Sequence, residues 1–565
     1  MSDDHDSEAH EVAVQKAQAY RQSFLPDAGE ALRANRRLFL AGAGAAVTGA
    51  AFAGDASAEL VAGDRDLSEL VGAPRGVHAS FTDDPKSTVT LTWFTDGLAD
   101  PGSVVVYDDE KPLENRTTGT AEQLPFIDAL VHRATVTGLP PGQTITYRVG
   151  GRSGFSDMYE VTTDDGSDEF RFTFVGDQGV KETALQNRDL TLDLDPDLHL
   201  VVGDVSYANG DSPVWDLYFG QQESLMATVP TMNQVGNHEF KDGADAADYK
   251  ARHSHPDSGE IDERHCYSFR YGNVHFSGID NSGSVLSEGR LGDVLRWVEN
   301  DLARARLARA RGDVEYIVTF FHHPIYTSQS KRSTNPLLQL LVEPALHRHD
   351  VDLAIVGHDH IYERSFPMVY GVPTTTVRSP YTATRVGFVQ LQNGIGGKSL
   401  RRVRPEHQRS RWSATADDES FAVTRLDIDG DFGIEAETIA ADSGETIDQF
   451  FLTPQQYEEP LEDIVETTEV ELNRVTEAIE TFEAEFDEFV TINDYDATFF
   501  DEFDPDEFES VPGARELAKT LMSVGRAHPV ALFENAGISP DDTEIPDSFG
   551  SIRTNLLEEL LEESS

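Results

Sequence analysis

The chain has 565 residues, of which 101 are Asp or Glu and 45 are Lys or Arg, so its formal net charge is −56. The length allows two to four domains, and 39% hydrophobic residues with 31 Phe exclude a chain that is disordered throughout. A surface this negative repels phosphate backbones and anionic lipid, which argues against a nucleic acid as a structural partner and against binding to membrane surfaces. The acidic residues run through every segment. We therefore favour a solvated surface suited to high salt over an acidic partner-binding tail, and we expect a halophilic source.

The N-terminus carries the pattern of an export signal. Arg36-Arg37 precedes the uncharged run from Leu38 to Gly54, which is short and weakly hydrophobic for a membrane-spanning helix. Two small-x-small cleavage sites follow, at Ala51-Phe52-Ala53 and Ala56-Ser57-Ala58. The segment resembles a twin-arginine signal; the alternative is an Ala/Gly-rich helix with a chance Arg pair. We expect residues 1–58 to be the signal and 59–75 a linker. The mature protein would be extracellular or at the cell surface, without a membrane span.

The cysteine content is compatible with this route. Cys266 is the one cysteine of the chain, which excludes an intrachain disulfide and a cysteine-rich zinc or iron–sulfur site. On its own this favours a reducing compartment. Export of an already folded protein would reconcile the two observations.

Residues 76–165 are predicted to form a fibronectin III-like β-sandwich. Apolar residues alternate at period two, as in Val89, Leu91 and Trp93, and turn signals such as Pro140-Pro141-Gly142 separate the short strands. The run from Leu139 to Gly142, followed by Tyr147, resembles the corner of fibronectin type III domains. No catalytic cluster is present here, so we interpret the sandwich as a positioning module.

Residues 169–453 are predicted to form an α/β domain of layered sheets flanked by helices. Short, nearly continuous apolar runs such as Phe172–Val175 and Leu353–Val356 are typical of strands buried on both faces, and a helix is predicted over Leu291–Ala310.

Residues 461–565 are predicted to form an acidic, mainly helical extension, which carries no catalytic motif. From Pro454 onward there are 31 Asp or Glu and 5 Lys or Arg. A seam at alternating spacings of four and three is typical of a coiled coil. The alternatives are a homo-oligomer formed through this seam and a single amphipathic helix packed on its own domain. The seam consists of Leu461, Val465, Thr468, Leu472, Val475, Ile479, Phe482, Phe486 and Phe489.

Five apolar runs of the α/β domain end in polar motifs. A lone Gly-Asp is a common turn and Asn-His-Glu can cap a helix, but an ordered set of five is hard to obtain by chance. Functional groups converge beyond the carboxyl ends of strands in such domains, and this inventory of Asp, Tyr, Asn and His suits a pair of metal ions with mixed oxygen and nitrogen ligands. The motifs are Gly176-Asp177-Gln178-Gly179, Gly203-Asp204-Val205-Ser206-Tyr207, Gly236-Asn237-His238-Glu239, His322-His323-Pro324 and Gly357-His358-Asp359-His360.

With these five motifs, the sequence from about Gly76 to Thr453 resembles the calcineurin-like metallophosphoesterases, and within them the purple acid phosphatases. The resemblance implies two metal ions per chain. It implies a first site, Fe(III) in the family, held by Asp177, Asp204, Tyr207 and His360. It implies a second site for Zn, Mn or Fe(II), held by Asp204, Asn237, His322 and His358, with Asp204 bridging the two.

The resemblance also implies the chemistry, which is hydrolysis of a small phosphorylated substrate by a metal-bound hydroxide. His238 is the expected catalytic residue: near its pKa at mildly acidic pH, it would orient the ester or protonate the leaving group. His323 is expected either to support the metal ligands from behind or to be structural. Residues 327–336 lack the additional His of some relatives. Lys331 and Arg332 are candidates to contact phosphate instead, and the favoured alternative is an ordinary basic loop. The alternatives to a monoesterase are a phosphodiesterase or nucleotidase of the same fold and a non-catalytic cell-surface module.

Overall fold

A computed structural model describes most of the chain from residue 73 onward. The described ranges are 73–96, 102–107, 115–123, 129–151, 154–241, 246–259, 261, 266–282, 290–331, 336–382, 386–430, 432–454, 459–493, 513–539 and 551–562. The predicted twin-arginine segment and Arg332 lie outside these residues, as do the side chains of Phe486 and Phe489 in the predicted seam.

The N-terminal part is a β-sandwich, as predicted. One sheet has the order β1-β2-β6-β5, and the other has the order β4-β3-β7-β8 with β9 also paired to β7. Val89, Leu91 and Trp93 are fully buried between the sheets, because side chains at period two point to one face of a strand. The strands are β1 (Arg75–Ser80), β2 (Thr88–Thr95), β3 (Ser103–Tyr107), β4 (Arg116–Thr118), β5 (Thr120–Gln123), β6 (Leu130–Thr137), β7 (Thr144–Gly151), β8 (Gly154–Phe155) and β9 (Tyr159–Thr162).

The sandwich is joined to the second domain by buried hydrogen bonds. The Tyr147 hydroxyl donates to the carbonyl oxygen of Ala227 at 2.6 Å. The Glu223 carboxylate accepts bonds from the Tyr159 hydroxyl at 2.7 Å and from the Gly76 N–H at 2.8 Å. These bonds fix the sandwich against the helix that carries Glu223.

The second domain is built on two mixed sheets. The first has the order β12-β11-β10-β22-β23-β24 and the second β13-β14-β15-β16-β20-β17-β21. Pairs β10–β11, β11–β12, β15–β16 and β16–β20 are parallel. The strands are β10 (Phe170–Val175), β11 (Leu198–Val202), β12 (Thr231–Gln234), β13 (Tyr267–Tyr271), β14 (Val274–Gly278), β15 (Tyr316–Phe320), β16 (Leu353–Val356), β17 (Tyr362–Ser365), β18 (Met368–Val369), β19 (Val372–Pro373), β20 (Val389–Asn393), β21 (Ser413–Asp417), β22 (Ala422–Asp429), β23 (Gly433–Ala440) and β24 (Thr446–Leu452).

The two sheets pack face to face, with helices on their outer faces. Phe172 of the first sheet meets Phe276 of the second edge to face, with ring centroids 5.2 Å apart. The helix predicted over Leu291–Ala310 has those bounds in the structure. The helices are α1 (Glu182–Asp193), α2 (Ser212–Met226), α3 (Ala247–Arg252), α4 (Leu291–Ala310), α5 (Pro336–Leu341), α6 (Glu343–Arg348), α7 (Leu461–Asn493), α8 (Ala514–Ser523), α9 (Pro529–Asn535) and α10 (Ser551–Glu562).

The C-terminal helices share a core with the second domain. Val475, Ile479 and Phe482 of α7 are buried in the same cluster as Val298 and Leu302 of α4. By contrast, Leu461 and Val465, at the start of the predicted seam, are 41% and 39% exposed. The described part of the seam therefore favours an amphipathic helix packed on its own domain, and an oligomer formed through this segment stays a prediction.

Charged groups are buried in the same interface. Arg306 of α4 donates a hydrogen bond of 2.8 Å to Glu471 of α7, and both side chains are at most 4% exposed. Arg348 of α6 bonds to the carbonyl oxygens of Leu521 and Val524. Among the described helices, none combines the length and the apolar character needed to cross a membrane.

Candidate metal centre

The five motifs lie at strand ends that meet in one place. Three follow β10, β11 and β12 of the first sheet, and two follow β15 and β16 of the second. Because these strands are parallel within each sheet, their carboxyl ends share an edge. The two edges are in contact: the backbone N–H of His358 donates to Asp177 Oδ2 at 2.6 Å, and His322 Nε2 lies 3.3 Å from Asp204 Oδ1.

Five of the seven predicted ligands adopt left-handed backbone conformations. Their φ angles are +58° at Asp177, +51° at Asp204, +57° at Tyr207, +73° at His358 and +50° at His360. Residues with side chains adopt this region rarely, at a cost of order 1–3 kcal/mol each. Such backbone strain clusters at functional sites, where the surrounding structure holds it in place.

Two glycines allow the motif loops to approach each other. Gly203 has a φ of +86°, and a Cβ there would lie 2.4 Å from the Nδ1 of His322. A Cβ on Gly236 would lie 2.4 Å from the backbone nitrogen of Asp204. The glycines that open these two motifs are therefore required by close packing around the ligand loops.

The side chains predicted for the first site form a compact group. The Tyr207 hydroxyl lies 2.6 Å from Asp177 Oδ1 and 2.8 Å from His360 Nε2, and the last two atoms are 3.1 Å apart. Ligand atoms that surround one cation at about 2.1 Å are themselves about 3 Å apart. The carboxylate, phenol and imidazole therefore have the spacing of a ligand set.

The side chains predicted for the second site form a neighbouring group. His322 Nε2 lies 3.3 Å from Asp204 Oδ1 and 3.2 Å from His358 Nδ1. The potential ligand atoms of these three buried residues all lie within 4.8 Å of one another. Asn237 Oδ1 is buried and has no hydrogen-bond partner among the described residues, as expected for an amide oxygen that serves as a ligand.

Hydrogen bonds fix which ring nitrogen faces each group. His322 Nδ1 lies 2.9 Å from the carbonyl oxygen of Val202 and carries a proton, so Nε2 is the nitrogen that can become a metal ligand once a cation displaces its proton. His360 Nδ1 lies 2.6 Å from Ser399 Oγ, which leaves Nε2 toward Asp177. Such partners orient imidazoles before a metal binds.

Without a cation, the carboxylate and imidazole groups of the site stabilise each other's charges. Burial alone would raise the pKa of Asp204, but the imidazoles of His322 and His238 hold it well below its usual value. Burial would lower the pKa of His322, but the Asp204 carboxylate raises it to about 10. The pKa of Tyr207 is raised well above 10 by burial and by Asp177, so the phenol stays neutral unless a cation displaces its proton.

His238 lies beside these groups rather than among them. Its backbone N–H donates to Asp204 Oδ1 at 2.8 Å, and its ring centroid lies 4.3 Å from that of Tyr207. Its Nδ1 lies 2.5 Å from Asn209 Oδ1, and its Nε2 lies 3.0 Å from the ammonium nitrogen of Lys241. An ammonium group can only donate, so Nε2 accepts and Nδ1 carries the proton.

This arrangement favours a neutral imidazole. Burial lowers the pKa of His238 to about 3, against the opposing influence of Asp204. Which of the two roles His238 takes, orienting the ester or protonating the leaving group, stays a prediction.

Sequence reasoning assigned no role to Glu239, the last residue of the third motif. Its buried carboxylate accepts hydrogen bonds from the backbone N–H groups of Asp204 and Val205, both at 3.0 Å, and of Gly236 at 2.8 Å. Glu239 thus ties the second motif loop to the third. The sequence signal that could have identified Glu239 was its position as the last residue of the third motif.

A sixth strand end was also missed. β20 runs parallel to β16 and is followed by the segment Gly394-Ile395-Gly396-Gly397-Lys398-Ser399. This segment supplies Ser399 to His360, and the Lys398 backbone N–H donates to the Asp177 carbonyl oxygen at 2.9 Å. An apolar run followed by a Gly-led polar motif was visible here too.

The two remaining candidates have different surroundings. The ring of His323 is buried, with its centroid 4.1 Å from that of His358. Asn281 clamps the backbone of His323 through bonds of 2.8 and 3.1 Å, which agrees with a structural role. Lys331 is exposed, and the backbone N–H of Ser330 donates to the Arg402 carbonyl oxygen at 2.8 Å.

The donor set fits the two metal ions that the resemblance implies. The first group offers a phenol and a carboxylate, hard oxygen ligands suited to Fe(III), together with one imidazole. The second group offers two imidazoles, a carboxylate and an unpartnered amide oxygen, which suits a divalent ion such as Zn or Mn.

Family models match both domains. A model of the purple acid phosphatase N-terminal domain matches residues 74–163, and a model of the calcineurin-like phosphoesterases matches residues 170–362.

Individual proteins match over most of the same region. Acid phosphatase type 7 of Mus musculus is 31% identical over 395 residues, which cover 63% of this chain and 85% of the mouse protein. Purple acid phosphatase 21 of Arabidopsis thaliana is 27% identical over 305 residues, 52% of this chain and 67% of the plant protein. A solved purple acid phosphatase from yellow lupin (Lupinus luteus) seeds superposes with a TM-score of 0.59 at 20% sequence identity, over 70% of this chain and 76% of the lupin chain. At this sequence identity, the similarity to the lupin structure shows a shared fold.

Proposed function

This chain belongs to the purple acid phosphatase family of calcineurin-like phosphoesterases, and from that premise we propose that it is an exported phosphatase that holds two metal ions and hydrolyses phosphate monoesters. Membership makes it a metal-dependent phosphoric monoester hydrolase. The proposal adds the number of metals, their ligands and the location.

One observation carries the proposal: two groups of ligand atoms lie side by side at a shared edge of two sheets. Asp177, Tyr207 and His360 form one group, and Asp204 forms the other with His322 and His358. When bound, two cations neutralise charge on the phosphoryl oxygens and lower the pKa of water, which suits a reaction that is very slow without catalysis.

The chain's own residues supply the positioning. Hydrogen bonds to the Val202 carbonyl oxygen and with the Ser399 hydroxyl set the imidazoles of His322 and His360 before any ion binds. His238 is held on the face of Tyr207 by Asn209, which fixes its imidazole beside the predicted ligands. A preorganised site of this kind loses little energy to rearrangement during the reaction.

The test is metal analysis of the purified protein together with hydrolysis of 4-nitrophenyl phosphate and bis(4-nitrophenyl) phosphate. We expect two metal ions per chain and a higher kcat/KM for the monoester. Removal of the metals by chelation should abolish turnover, and readdition should restore it. A preference for the diester would favour the phosphodiesterase alternative. Absence of hydrolysis in a two-metal protein would favour a non-catalytic module.

The proposed location rests on the N-terminal segment alone. Arg36-Arg37 and the uncharged run after it resemble a twin-arginine signal, a route that carries folded proteins. Such a route suits a chain whose single cysteine cannot form an intrachain disulfide. An acidic surface would keep the exported protein soluble in high salt.

A further inference from the structure

A basic segment borders the metal centre of this acidic protein. Residues 398–404 read Lys-Ser-Leu-Arg-Arg-Val-Arg, with four basic residues in seven, whereas the whole chain has 45 in 565. Lys241 approaches the same site from the third motif. We call Lys241, Lys398 and Arg401 the cationic rim.

The rim is attached to the ligand loops by hydrogen bonds. The backbone N–H of Lys398 donates to the Asp177 carbonyl oxygen at 2.9 Å, and that of Arg401 donates to the His360 carbonyl oxygen at 3.0 Å. The Arg401 guanidinium donates to the His358 carbonyl oxygen at 3.3 Å. The positions of Lys398 and Arg401 relative to the predicted metal ligands are therefore fixed by backbone hydrogen bonds.

The two ammonium groups lie on the side of the site formed by Tyr207 and His238. The Lys398 nitrogen is 4.3 Å from the centroid of the Tyr207 ring, and the Lys241 nitrogen is 3.0 Å from His238 Nε2. The ring of Tyr207 lies 4.3 Å from that of His238. Lys241 is exposed, and Lys398 and Arg401 are partly exposed, so both ammonium groups can be reached from solvent.

The rim residues carry a charge opposite to that of the protein as a whole. A net charge of −56 repels an anionic substrate at long range, whereas close contacts with fixed cations are screened much less by salt. The metal centre accounts for the binding of the reacting phosphate. Three further positive charges match a second phosphate, which is dianionic, better than a single carboxylate.

We propose that the cationic rim binds a second phosphate on the leaving part of the substrate, so that the favoured substrates are esters whose leaving group is itself phosphorylated. The inference rests on the proposed function of the same site. The reaction stays a hydrolysis: the bond between phosphorus and the leaving oxygen breaks, and water supplies a hydroxyl group to phosphorus and a proton to the leaving oxygen.

The test compares two aryl phosphates that differ in one group. 1,4-Phenylene bisphosphate carries a second phosphate where 4-methoxyphenyl phosphate carries a neutral ether. We expect kcat/KM per reacting phosphate to be about tenfold higher for the bisphosphate, since a charge-assisted contact is worth at least that factor. Both compounds are measured at one fixed ionic strength.

Variants of the rim should change this preference selectively. Lys398→Gln and Lys241→Gln should each reduce it to about twofold, with a much smaller change for the methoxy compound. Lys398→Arg should retain the preference and Lys398→Glu should reverse it. Lys86→Gln, in the β-sandwich, is the matched control. Inhibition by methylenediphosphonate, whose P–C–P bridge cannot be hydrolysed, should weaken relative to inhibition by phosphate in the same variants, which measures binding without turnover.

The outcomes separate the inference from the proposed function. Equal kcat/KM for both compounds in the wild type would overturn the second phosphate site, as would a preference that survives both Gln variants. Hydrolysis of neither compound by a two-metal protein would instead refute the proposed function. Metal content and the visible spectrum show whether Lys398→Gln disturbs Tyr207. If it does, Lys241→Gln decides, because its ammonium group contacts His238 and not a predicted ligand.

Discussion

The carboxylate of Glu239 accepts a hydrogen bond from the backbone N–H of Asp204 at 3.0 Å. Both side chains are buried acids, and the charge of Asp204 adds to burial in raising the pKa of Glu239. The contact persists because the same carboxylate also holds the N–H groups of Val205 and Gly236. Glu239 thus positions the backbone of Asp204, the predicted bridging carboxylate.

Replacing Glu239 should therefore weaken metal binding. Glu239→Gln removes one acceptor oxygen and leaves backbone N–H groups without a partner, and loss of such supporting bonds typically costs 10- to 100-fold in metal affinity. Competition with a chelator measures this. The matched control is Glu343→Gln, a buried acid bonded to Tyr326, which should lose stability but keep its metals. Equal metal affinity in wild type and Glu239→Gln would contradict the positioning role.

Asp204→Asn tests whether one carboxylate holds both ions. An amide has one ligand oxygen and no charge, so we expect at least one metal ion per chain to be lost and hydrolysis to be abolished. The fold should survive, because an amide oxygen can still accept the bond that the His238 N–H gives to Asp204 Oδ1 at 2.8 Å. Metal analysis and circular dichroism measure the two effects. Two ions retained per chain would show that Asp204 does not bridge.

Tyr207 should give the iron-loaded protein its colour. Burial and Asp177 keep the phenol neutral without a metal, whereas Fe(III) favours the phenolate strongly, and a phenolate on Fe(III) has a charge-transfer band. We expect a visible band that disappears in Tyr207→Phe. A colourless oxidised wild type with full iron content would reject the iron–tyrosine assignment and leave a two-metal hydrolase in place. An unchanged band in the variant would do the same.

The C-terminal extension should contribute to stability although no catalytic motif lies in it. Glu471→Gln leaves the buried guanidinium of Arg306 without its charged partner, and breaking such a pair costs about 3 kcal/mol in the free energy of unfolding. Glu477→Gln, at an exposed position of the same helix, should change it little. Urea unfolding measures both.

A chain that ends at Thr453 extends this test. It would expose the apolar face of α4. We expect the shortened chain to bind metal but to have a lower free energy of unfolding than the full protein. Light scattering of the two forms tests association through α7. A truncated chain as stable as the full protein would contradict the shared core.

Export depends on the Arg pair if the N-terminal segment is a twin-arginine signal. Replacing Arg36 and Arg37 together by Lys should leave the precursor inside the cell, since that route recognises the arginines rather than positive charge alone. Immunoblots of cell and medium fractions measure this. Normal amounts of the double variant in the medium would refute the assignment.

Local sequence patterns determined much of the architecture. The helix Leu291–Ala310 and the strand Leu353–Val356 have the predicted bounds, because apolar periodicity and length distinguish a helix from a buried strand. The polar motifs that follow the predicted strands indicated the types of ligand, because the carboxyl ends of parallel strands lie at one edge of a sheet. Each of these signals lies within a few residues of chain.

Only the tertiary structure decided which groups support the ligands and what covers the extension. His322 is oriented by a carbonyl group 120 positions away and Asp177 accepts from a residue 181 positions away. The heptad spacing of α7 was equally compatible with a second copy and with its own domain, and Val475 and Phe482 are buried against α4 of the same chain. The periodicity of the sequence shows that one face of a helix is apolar. Which surface buries that face depends on shape and distance between segments far apart in the chain, and these exist only once the two sheets have packed.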